Sequence, residues 1–233
     1  SYVLALQEIA YACASTAVVM SVQNSVVCET IDRFGTEEQK QKYLKPLAAG
    51  EIIGSFAITE PHAGSDPMSQ STWAKRDKSH YIINGTKRFI PSGKNAGIAI
   101  ITAKTDKTKR HKGISAFMVK KGTPGFSVGK TEEKMGLCAS DTTDLVFEDC
   151  RVSAENLLGQ EGDGFKIAMT ALDGGRIGIA AQSLGVAQAA LDAAASYAKE
   201  REQFGQPISK FQGLRWMLAD MATEIEASRL LVR

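Results

Sequence analysis

The residues best suited to chemistry are Phe56 to Ser65 (FAITEPHAGS), followed by Asp66. They place the hydroxyls of Thr59 and Ser65 in a Gly-broken polar loop at the end of an apolar strand. Such a loop exposes backbone N–H groups that hold a ring carbonyl or a phosphate. The same residue types also close ordinary strand-ending turns, so composition alone leaves a binding loop and a plain turn both open. A second group, Asp173-Gly174-Gly175-Arg176, interrupts a helical pattern with paired glycines. Glycine inside a helix costs about 1 kcal/mol relative to alanine. Two reasons for that cost stand side by side: a ligand lying close to the backbone, or tight helix–helix packing. His62, His80 and His111 fall in turn or loop contexts without partner spacing, and the four cysteines form no CxxC pair. No metal site is expected.

The 28 basic and 26 acidic residues leave a net charge of +2, which gives no argument for nucleic acid or an anionic membrane as partner. The basic run Lys104 to Lys112 (KTDKTKRHK) reads as a solvated loop between strands. Cys13, Cys28, Cys138 and Cys150 each lie in or beside an apolar run, where a free cysteine behaves as a small hydrophobe. A reducing compartment follows, cytoplasmic or, in a eukaryote, the mitochondrial matrix. No stretch approaches the ~20 apolar residues of a membrane span. The chain does not begin with Met, so a targeting segment ahead of it stays open.

Three textures succeed one another. Residues 1–51 read as helical: Leu4, Ile9, Ala12 and Cys13 fall at helical spacing, and Gly35 closes a second apolar stretch. Thr36 with Gln39 three residues later is a capping-box pattern, and Gly50 marks a stop. Residues 52–157 hold short segments rich in β-branched and aromatic residues, with Asn84-Gly85 as a hairpin signal. No crossover helix intervenes, which favours a mostly antiparallel barrel or sandwich over a Rossmann unit. Residues 158–233 return to helix. Asn156 to Gly164 reads as an exposed loop, and an Ala-rich helix over 163–200 follows it. Pro207 opens another, with Phe211, Leu214, Leu218, Met221, Ile225 and Leu230 along its stripe and Trp216 as core. The fold class is α+β, an incomplete helical bundle following a β domain.

The segments Ala57-Ile58-Thr59-Glu60 and Ala63-Gly64-Ser65-Asp66, together with GTKRFI, KGISAFMV, EEKMG, LVFEDCRV, GRIGIAAQSLG and REQFG, resemble the acyl-CoA dehydrogenase family, nearest its short-chain (butyryl-CoA) members. The resemblance covers the whole chain. It implies N-terminal helices, a middle β domain and a C-terminal helical bundle, with both ends of a longer protein missing. It also implies FAD as cofactor, held by Phe56, Ala57, Ile58, Thr59, Gly64, Ser65, Phe89, Ile90 and Pro91 and, from a neighbouring subunit, by Arg201, Phe204 and Gln212. In that alignment Thr59 meets the pyrimidine side of the flavin, Phe89 replaces a common Trp beside the ring, and Arg201 faces the pyrophosphate. Arginine suits that place because its planar fork pairs with phosphate oxygens. Ser65, Asp173, Gly174, Gly175 and Arg176 are the implied contacts to the acyl-CoA.

The implied reaction is α,β-dehydrogenation of short acyl-CoA thioesters to trans-2-enoyl-CoA. Electrons pass to an electron-transferring flavoprotein, and the implied assembly is a homotetramer. An acyl-CoA oxidase on the same architecture, or a non-catalytic flavin- or CoA-binding piece, are the alternatives. Two departures bear on mechanism. By the resemblance, Pro91 stands where family members usually have a Thr that hydrogen-bonds flavin N5, and proline offers neither hydroxyl nor N–H. The family's base is a glutamate late in the C-terminal bundle, or in some relatives a residue at the place of Gly175. Glycine excludes the latter, so the catalytic base is expected beyond Arg233 and no catalytic residue is assigned within the chain.

Overall fold

Thr36 accepts from the Gln39 amide while the Gln39 side chain accepts from the Thr36 amide, so the capping box is complete. Each of those bonds satisfies an N–H group that a helix start would otherwise leave unpaired. Gly35 ends the preceding helix, and Gly50, at φ +75°, ends the following one. The structure, a computed structural model, describes residues 2–232. Its N-terminal helices are α1 (Tyr2–Ala12), α2 (Ala14–Ser21), α3 (Glu29–Phe34), α4 (Glu37–Gln39) and α5 (Lys45–Ala48), with wide π turns over Val22–Cys28 and Lys40–Leu44.

The β segment comprises β1 (Gly54–Ala57), β2 (Trp73–Asp77), β3 (His80–Pro91), β4 (Ile98–Lys104), β5 (Ile114–Lys120), β6 (Phe126–Thr131), β7 (Thr142–Ser153) and β8 (Leu157–Leu158). These strands form one sheet in the order β6-β7-β3-β2-β4-β5-β8. Most pairings are antiparallel, as expected, but β4 runs parallel to β1 and to the first residue of β2. Alternation divides the core. Phe56, Ile98, Ile100, Ala116 and Met118 join Val27, Ile31, Leu47 and Ile167 on the helical side. Ala57, Ala99, Ile101, Phe117 and Val119 face Tyr81, Ile83, Leu145 and Phe147 on the other. Burial on both faces is why β4 and β5 read as unbroken apolar runs. Gln23 anchors the start of β1 by accepting from the Gly54 amide and donating to Leu47 and Ile52 carbonyls.

Two long helices complete the chain, α6 (Gly164–Glu200) and α7 (Gln212–Val232). Val19–Gly175 is one compact unit and the rest of the described chain is another. In the second unit, Gly185 of α6 lets α1 approach: a Cβ there would lie 2.3 Å from the Gln7 carbonyl. Among the described residues no helix is long and apolar enough to cross a membrane.

Five expectations are corrected. The β2–β3 turn falls at Lys78-Ser79; Asn84-Gly85 is a bulge inside β3, where the register against β7 shifts. Gly85 is needed there because a Cβ would sit 2.3 Å from Thr72 Oγ1, while Asn84 exchanges hydrogen bonds with Asp149. Leu157 and Leu158 pair with β5 and Leu158 is buried, so 156–164 is not simply an exposed loop. Pro207 does not open α7. It pairs with Glu202 in a two-residue ladder, β9 (Glu202–Gln203) with β10 (Gln206–Pro207), and Phe211 is extended before the helix begins. Trp216 is 61% exposed on α7. Cys13 and Cys138 are exposed, and only Cys28 and Cys150 are buried.

Candidate functional site

Phe56 and Ala57 lie on β1 and are buried by its parallel pairing with Ile100 and Ile101. At Ala57 the ladder ends, and Ile58 and Thr59 begin a loop that returns at Trp73. Glu60 and Ala63 exchange backbone hydrogen bonds and close a tight turn. Gly64 and Ser65 follow it on the surface, and a Cβ at Gly64 would meet nothing within 4 Å. Asp66 caps the next turn by accepting from the Met68 amide.

The second wall comes from β3. The Arg88 amide donates to the Thr59 carbonyl at 2.8 Å, which brings Phe89, Ile90 and Pro91 beside the loop. Ile90 and Pro91 pair with Thr143 and Thr142 of β7, and Ile90 is buried. Phe89 lies where the register against β7 shifts, at φ +57°, and the residue is 56% exposed. A left-handed aromatic in a strand is strained, and such strain clusters at functional sites. The Arg88 guanidinium lies 5.3 Å from the centroid of the Phe89 ring, a cation–π distance. Ser92 follows at φ +60°, buried, its amide bonded to the Asp141 carbonyl.

Beneath the loop lies a buried ion pair. Lys87 Nζ donates to Glu60 Oε1 at 2.8 Å, Gln70 Oε1 at 2.9 Å, the Ile58 carbonyl at 3.1 Å and Thr102 Oγ1 at 3.3 Å. Glu60 also accepts from the Ser71 hydroxyl and from the Ser71 and Thr72 amides. Burial alone would raise the Glu60 carboxyl, but the Lys87 charge and these hydrogen bonds hold it down at about 2. Burial lowers the Lys87 ammonium to about 8 against the pull of Glu60. Sequence reasoning noted Glu60 without a role and missed Lys87.

Arg201, Phe204 and Gln212 gather around the turn between α6 and α7, in the other unit. The Ile208 amide donates to the Arg201 carbonyl, Phe204 packs edge-on against Phe211 at 6.0 Å, and Gln212 is the first residue of α7. Arg201 and Gln212 are exposed, and Phe204 is 92% exposed at φ +53°. On α6, Asp173 and Arg176 are exposed and Gly175 is buried. A Cβ at Gly174 would lie 2.7 Å from Glu29 Oε2 and 3.0 Å from the Ser25 carbonyl, and one at Gly175 3.1 Å from Val26. Close helix packing therefore accounts for the paired glycines. Among the described residues no cluster of His, Cys, Asp and Glu could hold a metal ion.

An exposed aromatic stands beside an open glycine-bearing loop that is tied to it through the Thr59 carbonyl, and a buried ion pair holds the base of the loop. Models of the acyl-CoA dehydrogenase N-terminal, middle and C-terminal domains match residues 1–51, 55–150 and 162–233. The short-chain specific acyl-CoA dehydrogenase of Clostridium acetobutylicum is 54% identical over 232 residues, which is 100% of this chain and 61% of that protein. Butyryl-CoA dehydrogenase from Megasphaera elsdenii superposes with a TM-score of 0.97 at 51% identity, over 99% of this chain and 61% of that one. A chain solved in work on the electron transferring flavoprotein of Acidaminococcus fermentans and flavin-based electron bifurcation gives 0.97 at 55% identity, over 99% and 60%. The chain thus spans about three fifths of the length of these curated relatives.

Proposed function

The chain belongs to the acyl-CoA dehydrogenase family, and from that premise we propose that it serves the oxidation of short acyl-CoA thioesters at the α,β carbons with FAD as oxidant. The observation that carries the proposal is the hydrogen bond from the Arg88 amide to Thr59, which sets the Thr59 loop against the exposed ring of Phe89. FAD, when bound, supplies the two-electron acceptor. Phe56, Ala57, Ile58, Thr59, Gly64, Ser65, Phe89, Ile90 and Pro91 would hold its ring end. Arg201, Phe204 and Gln212 of a neighbouring subunit would meet its pyrophosphate end, which makes the protein at least a dimer. Arg201 supplies the paired charge that phosphate binding needs.

Ser65 and the exposed Asp173 of α6 are assigned to the acyl-CoA. Removal of the α-proton needs a carboxylate, and hydrogen bonds to the thioester carbonyl acidify that proton. Glu60 does not serve, because its carboxylate is buried and bound to Lys87. Gly175 carries no carboxylate. The resemblance assigns that role to a glutamate late in the C-terminal bundle, in the part of the relatives' length that this chain does not span. Pro91 removes one donor beside the ring, so slower reduction than in relatives with Thr there is expected.

The electron acceptor is assigned as an electron-transferring flavoprotein. Reducing the flavin-loaded protein anaerobically with butyryl-CoA, then comparing reoxidation by O₂ and by such a flavoprotein, tests this. Fast reoxidation by the flavoprotein is expected; fast turnover with O₂ alone would identify an oxidase instead.

A further inference from the structure

One edge of β4 changes partner partway along. β1 follows it from Gly54 opposite Ile98 to Ala57 opposite Ile101, and the next residue on that edge is Trp73, opposite Lys104. The intervening chain leaves the sheet as the loop 58–72. Lys87, reaching across from β3, enters the gap and is fully buried there. Its four acceptors come from the start of the loop (Ile58, Glu60), its end (Gln70) and the β4 residue facing the gap (Thr102). Glu60 then grips the end of the loop through Ser71 and Thr72. A buried charge requires its partners, so the loop cannot shift at its base without leaving one uncompensated. The residue after Lys87 is Arg88, whose amide holds Thr59, and the next is Phe89.

We propose that Lys87 is a positioning residue for the flavin: its ammonium, clamping both ends of the 58–72 loop, sets Thr59 and Ser65 in register with Phe89. This rests on the reading that the loop and Phe89 hold FAD. The depressed Glu60 carboxyl agrees with a pair that is charged in the folded protein. Apolar residues often fill such a gap with no loss of stability, which points to geometry as what the pair secures.

The test uses the intact protein carrying Glu60→Gln with Lys87→Met, which removes both charges together. Gln at position 60 can still accept from Ser71 and Thr72. A milder variant, Ser71→Ala, removes one hydrogen bond to Glu60 and keeps the test decisive where the double variant fails to fold. Hydrogen exchange of amides 61–71 is measured without flavin, then FAD affinity and the visible circular dichroism of the bound flavin. Exchange about tenfold faster, FAD binding about tenfold weaker and an altered flavin signal are expected for the double variant, with about threefold effects for Ser71→Ala. Unchanged loop exchange in whichever variants fold would overturn the clamp. Faster exchange with unchanged affinity and flavin signal would overturn its role toward the flavin. Failure of the unaltered protein to bind FAD at all would overturn the underlying reading, while the exchange data would still decide the clamp.

Discussion

Replacing Phe89 by glycine should uncouple flavin binding from stability. Phe89 sits at φ +57° with 56% of its surface exposed. The left-handed conformation costs a residue with a Cβ about 1–2 kcal/mol, which glycine recovers. Against that, glycine adds about 0.4–1 kcal/mol of unfolded-chain entropy. Losing the covered part of the ring, a little under half of it, removes about 1 kcal/mol of burial. The three contributions cancel to within about 1 kcal/mol, so the melting temperature of the flavin-free protein should stay within about 4 °C of the unaltered one. Stacking of an aromatic side chain on a ring system is worth about 1–3 kcal/mol, so the FAD dissociation constant should rise about 5- to 150-fold. Calorimetry and flavin fluorescence titration read the two separately. A large fall in melting temperature with unchanged FAD affinity would refute the reasoning and make Phe89 a packing residue.

Arg201→Ala should weaken FAD binding about 10- to 100-fold, the worth of a charge-assisted hydrogen bond, while thermal unfolding of the β-rich unit is unchanged; equal loss of both would contradict a phosphate role. Gly185→Ala should lower stability by about 1–2 kcal/mol in a urea titration, because overpacking against α1 exceeds the helix-propensity gain of about 1 kcal/mol. Glu60 has its carboxyl depressed from 4.5 to about 2, so its stabilisation is fully present above pH 4.5 and lost as pH falls toward 2. Urea midpoints measured across that window should fall by an equivalent of up to about 3 kcal/mol, and Glu60→Gln should flatten the dependence.

Much of the fold was legible because its signals are local. Thr36 with Gln39, Gly35 and Gly50 mark helix ends through backbone chemistry that any context preserves. The ten-residue Phe56–Ser65 segment was legible as a loop that exposes amides, and its resemblance gave it a ligand. Asn84-Gly85 misled because the glycine serves a contact with Thr72, distant in sequence, rather than a turn. Lys87 was invisible for a related reason: in TKRFI it reads as an ordinary strand cation, and only the change of partner along β4 makes it a buried clamp. The paired glycines of α6 were left between two readings that only the facing helix, with Ser25, Val26 and Glu29, could separate.

The central claim is that Thr59, Ser65 and Phe89 hold a flavin that oxidises a short acyl-CoA. Anaerobic titration of the intact flavin-loaded protein with butyryl-CoA, followed in the visible flavin band, tests it most directly. Bleaching that saturates at one thioester per flavin is the predicted result. A band that butyryl-CoA leaves unchanged, or a purified protein that takes up no FAD, would contradict it.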